Sequence, residues 1–243
     1  MLNTLPKSAI FGHRGASAHA PENTLAAFEL AYEQGANGIE LDVKLSADGI
    51  PVVFHDPTLD RTTNGSGALV DFDLAALKEL DAGGGEKIPT LAEVFESVGQ
   101  KLFINIELTN YTTPNDALVE EVLAVINDHD MQDRILFSSF HAHTLKKAAD
   151  LAPNIPRGLL ATYMPRGLYA RWIRFRSPLY QTIHPCYVNL SKRMCKKAHQ
   201  RGQRVITWTV NSPAKMQKYA KWGVDGIITD DPKLAVETLR STS

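Results

Sequence analysis

Cysteine is nearly absent from this sequence of 243 residues: there are two, Cys186 and Cys195. Their spacing matches no zinc or redox pattern, so both read as ordinary reduced thiols and a disulfide framework is excluded. Long apolar runs are missing as well. None approaches the roughly 18 residues needed to cross a bilayer, and the N-terminal MLNTLPKSAI has no apolar secretion core. The expectation is a cytoplasmic protein without a transmembrane segment, in which the glycosylation-type tripeptides at Asn64, Asn110 and Asn189 are chance matches. Excess charge is lacking too: 26 Lys+Arg face 27 Asp+Glu, a net charge of −1. That balance argues against a nucleic-acid or anionic-membrane partner. No Gly-x-Gly-x-x-Gly turn follows the first strand candidate, and Gly83-Gly84-Gly85 lacks the Lys-Ser/Thr ending of a phosphate loop. There is no Gly-x-Ser-x-Gly elbow of a serine esterase. No repeat or low-complexity linker divides the chain, so one domain is expected over residues 1–243.

What the chain does have is alternation. Hydrophobic residues make up 44% and charged residues 22%, the balance of a globular protein with a sizeable core. Eight strand-like segments recur: Ser8–Gly12, Asn37–Leu45, Lys101–Thr109, Arg134–Ser139, Pro156–Ala161, a stretch near Ile183–Asn189, Gln203–Val210 and Asp225–Thr229. Helical periodicity fills most of the gaps. Leu25, Phe28 and Tyr32 share a stripe, capped by Asn23 or Thr24 and ended by Gly35; Ser191–Gln200 stops at Gly202 and Pro213–Lys221 at Gly223. Regular βα alternation over this length predicts an α/β fold, a (β/α)8 TIM-type barrel, with a doubly wound sheet as the alternative. Two segments break the rhythm. Residues 56–89, with a short helical stretch at Asp73–Leu80, read as an insertion on the barrel rim. Residues 162–180 carry Arg166, Arg171, Arg174 and Arg176 beside Trp172 and Phe175. They read as a solvated amphipathic helix, with a lid, a substrate rim or a partner surface as the alternatives.

The strands hold polar residues where a buried strand has little use for them. In Ile39-Glu40-Leu41-Asp42-Val43 the aliphatic residues fall on one face and the acids on the other. Leu102–Thr109 repeats the pattern, with Phe103, Asn105, Glu107 and Thr109 on the second face. Three acids pointing into a barrel are costly unless protons or a cation neutralise them. Glu40, Asp42 and Glu107 therefore form a candidate metal site, and an all-oxygen set suits a hard ion such as Mg²⁺ or Ca²⁺. His13 and His55 each close an extended run, a plausible acid–base pair because imidazole changes charge near neutral pH. Arg14 adds a fork that grips phosphate bidentately. These residue types suit phosphodiester hydrolysis, although other reactions on barrels also combine a metal with histidine.

The motifs in order are His13-Arg14-Gly15, Pro21-Glu22-Asn23-Thr24, Glu40-Leu41-Asp42-Val43, Asp48-Gly49, His55-Asp56 and Leu59-Asp60-Arg61-Thr62-Thr63-Asn64-Gly65. Ile88-Pro89-Thr90-Leu91, Asn105-Ile106-Glu107, Ser138-Ser139-Phe140, Trp208-Thr209-Val210-Asn211 and Gly226-Ile227-Ile228-Thr229-Asp230 follow. Together, across residues 12–232, they resemble the glycerophosphodiester phosphodiesterases, most of all the small cytosolic bacterial type. The resemblance implies a barrel with a small insertion after His55. It implies His13 and His55 as general base and acid, in an order set only by analogy, and a divalent ion on Glu40, Asp42 and Glu107. Arg14 would bind phosphate. Trp208, at the end of a strand, reads as a wall for the glycerol side, with a core tryptophan as the alternative. The implied reaction turns a small-molecule glycerophosphodiester into glycerol 3-phosphate and an alcohol, by direct water attack or through a cyclic phosphate. Alternatives are a related phosphodiesterase acting on lysophospholipids and a non-catalytic binding barrel.

One position departs from the pattern: family members commonly carry Lys two residues after the third acid, where this chain has Thr109. Thr109 can hydrogen-bond a phosphate oxygen but brings no charge. Lys44, in phase with Glu40 and Asp42, and an arginine of 162–180 are candidates to compensate, against the reading of Lys44 as a solvated strand end. His184 is expected to approach the same rim. Glu22 and Asn23 read as helix-capping residues, and Arg61 as an anchor for the insertion.

Overall fold

The computed structural model describes residues 1–163, 167 and 174–240. Its strands are β1 (Ala9–His13), β2 (Gly38–Leu45), β3 (Pro51–Val53), β4 (Phe103–Leu108), β5 (Ile135–Ser139), β6 (Arg157–Ala161), β7 (Thr182–Pro185), β8 (Arg204–Thr207) and β9 (Gly226–Thr229). Eight of them, all but β3, pair in parallel around a ring that closes where β1 meets β2, with His13 level with Glu40. This is the expected barrel. Ile39, Leu41, Val43, Ile104, Ile106 and Leu108 lie in the main core between sheet and helices, all fully buried. The opposite strand faces fill the barrel interior. Ala9, Phe11, Leu136, Ile206 and Ile228 make an apolar floor there, joined by Leu5 from the N-terminal segment. Polar residues stand above that floor, toward the C-terminal strand ends where barrels of this kind hold their chemistry.

The helices sit close to their expected positions because the local signals are satisfied. Helix α1 (Leu25–Glu33) is capped by Thr24, whose hydroxyl accepts from the Ala27 amide at 3.3 Å. Asp73 and Ser191 cap the helices Leu74–Glu79 and Lys192–His199 in the same way. Pro213 opens the helix Pro213–Lys221 at a position where its missing N–H costs nothing. Among the described residues no helix is long and apolar enough to cross a membrane.

Two expectations change. The run Pro51-Val52-Val53 is a ninth strand, antiparallel to the upper half of β2, with Val53 opposite Val43. It continues the sheet where β1 has ended, and the Phe54 amide then bonds to the Asp42 carbonyl at 2.9 Å. That hairpin, turning through Gly49 at φ +81°, brings His55 back to the acids. The stretch expected as a strand to Asn189 instead leaves the sheet after Pro185 and turns through a 3-10 helix at Tyr187–Asn189. The insertion at 56–89 packs Leu59, Leu69, Leu77, Ala82 and Ile88 against Val52 and Phe54 in a second, separate small core. Residues 164–166 and 168–173 of the basic stretch at 162–180 lie outside the described residues, Arg166, Arg171 and Trp172 included. Its described end is a 3-10 turn, Arg174–Arg176, around a buried Phe175. Cys186 and Cys195 are buried and unpaired, as expected.

Candidate active site

Strand β2 presents Glu40 and Asp42 to the interior, and β4 sets Asn105 level with Glu40 and Glu107 level with Asp42. One oxygen from each of Glu40, Asp42 and Glu107 can be chosen so that all lie within 4.8 Å of one another. Each acid already has one protein donor. The Arg14 amide gives to Glu40 Oε2 at 3.2 Å, Asn23 Nδ2 to Asp42 Oδ2 at 3.0 Å, and the Tyr111 hydroxyl to Glu107 Oε1 at 2.6 Å. Glu40 Oε1, Asp42 Oδ1 and Glu107 Oε2 take no hydrogen bond from the described residues. Burial first, then the neighbouring acids, pushes the Glu40 carboxyl well above its usual range and that of Glu107 to about 8. Three converging acids, each with an oxygen to spare, fit a hard divalent cation.

Both predicted histidines are held by an aspartate at Nδ1. His13, the last residue of β1, lies 2.6 Å from Asp230 Oδ1; His55 lies 2.5 Å from Asp56 Oδ1. Asp56 has its pKa lowered to about 2, by the Arg61 hydrogen bond foremost and then by His55. Asp230 is also lowered, its burial outweighed by hydrogen bonds from His13, Asn211 and Ser17. An ionised carboxylate only accepts, so each Nδ1 carries the proton and each Nε2 is left free for chemistry. Asp230 and Asp56 were legible only as members of motifs. Nothing in the sequence signalled that they would meet the histidines, since Asp230 reaches His13 across 217 residues.

Arg14 sits in the left-handed region at φ +53°, a strained backbone that points its amide at Glu40. Its Nη1 donates to Glu22 Oε1 at 2.7 Å and its Nε lies 3.4 Å from Asp42 Oδ2. Burial opposes the cation, but Asp42, Glu22 and Glu40 outweigh it and raise the guanidinium pKa. Arg61 anchors the insertion as expected, with Nη1 and Nη2 on Glu22 and Nε on Asp56. Glu22 and Asn23 are therefore not helix-capping residues. Glu22 bridges two arginines, whose hydrogen bonds overcome burial and lower its pKa to about 2. Asn23, at φ +58°, supports Asp42.

The remaining candidates divide. Trp208 follows β8, is partly buried and packs edge-on against Phe140 at 5.7 Å, while Phe140 meets Tyr111 at 5.9 Å. These rings make an aromatic wall beside Glu107. His184 does not approach the rim. It is fully buried inside the barrel, with Nε2 2.9 Å from Thr182 Oγ1, and burial lowers its pKa to about 3, so it is neutral. Lys44 is not a solvated strand end either: it is 9% exposed and its ammonium bonds to Thr109.

Comparison with known proteins agrees with this architecture. The model of the glycerophosphoryl diester phosphodiesterase family matches residues 13–234. A glycerophosphodiester phosphodiesterase of Caldanaerobacter subterraneus subsp. tengcongensis is 41% identical, over 96% of this chain and 98% of its own length. A solved structure of an Oleispira antarctica phosphodiesterase, in complex with the product sn-glycerol-3-phosphate, superposes with a TM-score of 0.89 at 34% identity. The match covers 98% of both chains. The Thermotoga maritima glycerophosphodiester phosphodiesterase gives a TM-score of 0.79 at 33% identity, over 95% of this chain and 97% of that one. The chain belongs to the glycerophosphoryl diester phosphodiesterase family of enzymes.

Proposed function

We propose that this protein hydrolyses small glycerophosphodiesters, such as glycerophosphocholine or glycerophosphoethanolamine, to glycerol 3-phosphate and the free alcohol. The observation that carries the proposal is the pairing of two aspartate-anchored imidazoles with a buried triad of carboxylates. The product bound by the Oleispira antarctica relative is of the same chemical kind. Glu40, Asp42 and Glu107 would hold Mg²⁺ or Ca²⁺. Such an ion, when bound, offsets the negative charge of the phosphate oxygens.

The residues divide the remaining work. One imidazole takes the proton from the attacking hydroxyl, either of water or of the substrate's glycerol, through its free Nε2. A P–O bond forms as the P–O bond to the alcohol breaks, and the other imidazole, in its charged form, protonates the departing oxygen. If glycerol attacks, the resulting cyclic phosphate is opened by water with the roles reversed, so one water is consumed overall. Arg14, whose Nη2 has no partner among the described residues, grips a phosphate oxygen. Trp208 walls the glycerol. A cytoplasmic location belongs to the same proposal, because two buried unpaired thiols suit a reducing compartment.

The test is release of glycerol 3-phosphate from glycerophosphocholine, first in EDTA and then with added Mg²⁺ or Ca²⁺. Release restored by the cation, and reduced about 10²- to 10⁴-fold in both His13→Ala and His55→Ala, is the expected result. Full activity in EDTA would remove the metal. Cleavage of lysophosphatidylcholine alone would move the substrate to lipids.

A further inference from the structure

Thr109 was expected to offer a hydroxyl to the phosphate. Its hydroxyl proton is already spent: Thr109 Oγ1 donates to the Val43 carbonyl at 2.8 Å. What it turns outward is a lone pair, and that receives Lys44 Nζ at 3.1 Å, while the Thr109 carbonyl receives it at 3.0 Å. The strand register explains the meeting. The Thr109 amide bonds to the Val43 carbonyl at 3.2 Å, so Lys44 on β2 and Thr109, just past the end of β4, stand side by side, two residues along from Asp42 and Glu107. An ammonium has three protons to give, and two go to Thr109. Lys44 has no carboxylate within ion-pair distance among the described residues. Of the two arginines nearby, both are tied to carboxylates: Arg61 is bound to Glu22 and Asp56 through all three of its nitrogens, and Arg14 donates to Glu22 with its Nε 3.4 Å from Asp42.

A buried ammonium with a proton left over, at the open end of the barrel beside an acid cluster, is out of place in a purely structural role. We propose that Lys44 is a phosphate-binding residue of this site, its ammonium cradled by Thr109 so that the third N–H reaches a non-bridging phosphate oxygen. The charge the site needs above Glu107 thus comes from the neighbouring strand, and Thr109 acts by positioning it. This inference rests on the proposed phosphodiesterase reading.

The experiment compares wild type, Lys44→Met, Lys44→Arg and the exchange Lys44→Met/Thr109→Lys. For each, KM and kcat are measured on glycerophosphocholine, binding of inorganic phosphate by calorimetry on the metal-loaded protein, and the melting temperature. Lys44→Met is expected to raise KM and to weaken phosphate binding about 10- to 100-fold, as for loss of a hydrogen bond to a charged group. Lys44→Arg should keep part of the binding and the exchange should restore most of it. Phosphate binding within twofold of wild type in a folded Lys44→Met protein would overturn the proposal, leaving Lys44 as a latch between β2 and β4. If Lys44→Met does not fold, weak phosphate binding by a folded exchange variant would overturn it equally. Lysine-dependent phosphate binding in a wild-type protein that hydrolyses no glycerophosphodiester would instead sink the functional reading and uphold this one.

Discussion

Replacing Glu107 by Gln should make the metal-free protein more stable while destroying its response to metal. Glu107 has its pKa at about 8 in the folded protein against an ordinary 4.5. Between those values the folded state keeps a proton that the unfolded state has released. Stability therefore falls as pH rises, by about 1.4 kcal/mol per pH unit. By pH 7 the loss is about 3 kcal/mol. A pairwise bound is of the same order: two unit charges at the 4.8 Å limit within which the acid oxygens lie repel by about 3–4 kcal/mol at an effective dielectric of ~20. Gln has the same shape and still accepts from the Tyr111 hydroxyl, so the variant removes the charge with little repacking. For a chain of this size the gain corresponds to roughly 6–12 °C in Tm. The assay is a thermal melt of both proteins in EDTA at pH 5 and pH 8, repeated with millimolar Mg²⁺ or Ca²⁺. The variant should melt higher at pH 8, nearly level with wild type at pH 5, and gain little from cation, whereas wild type gains much. A variant that melts no higher than wild type in EDTA at pH 8, or that gains as much from cation, would refute the reasoning.

Asp230→Asn lets the wrong imidazole tautomer of His13 form; kcat on glycerophosphocholine should drop about 10- to 100-fold with KM little changed, and an unaltered kcat would mean that Asp230 does not hold the working tautomer. Arg61→Met frees Asp56 of its arginine and leaves Glu22 to Arg14 alone; the depressed pKa values of about 2 of both acids favour the folded state above pH 4–5 and lose that effect as pH falls toward 2. Because Arg61 is half exposed, the cost at pH 7 should be only about 1 kcal/mol, read by urea melts, and it should vanish near pH 2. Gly158→Ala puts a methyl group into His184 Nε2 and Thr182 Oγ1. The expected loss is about 1–3 kcal/mol, and a melting temperature equal to wild type would show that the barrel interior yields more easily than its packing suggests.

The alternation of residues along β2 and β4 was enough to place Glu40, Asp42 and Glu107 on one face, because side-chain direction in a strand is a local property. That those two strands are neighbours follows from the βα order, in which successive parallel strands pack side by side, even though β3 and the insertion lie between them in the chain. The trio was therefore legible before any coordinates. The histidines were legible as strand-end residues, but not the aspartates that set their tautomers. His55 owes its position to a three-residue strand, legible as a short extended run but not in its antiparallel pairing with β2. Glu22 and Asn23 show the reverse error. Their position before a helix carries a generic capping signal, yet Thr24 supplies the cap and leaves them to Arg14, Arg61 and Asp42.

Lys44 and His184 mark the limit most clearly. Both have a polar side chain in a strand, and a sequence cannot say how high in the barrel such a residue stands or what lies opposite. Strand tilt and register decide that. They sink His184 over Gly158 as a neutral ring and lift Lys44 onto Thr109 at the rim. By itself the sequence determined the barrel, the acid trio and the candidate acid–base pair, because each follows from periodicity or from residue chemistry within a few positions. The partners of those residues were decided only by the closure of the sheet, which sets residue 13 against residue 230 and residue 44 against residue 109, contacts that no local pattern encodes.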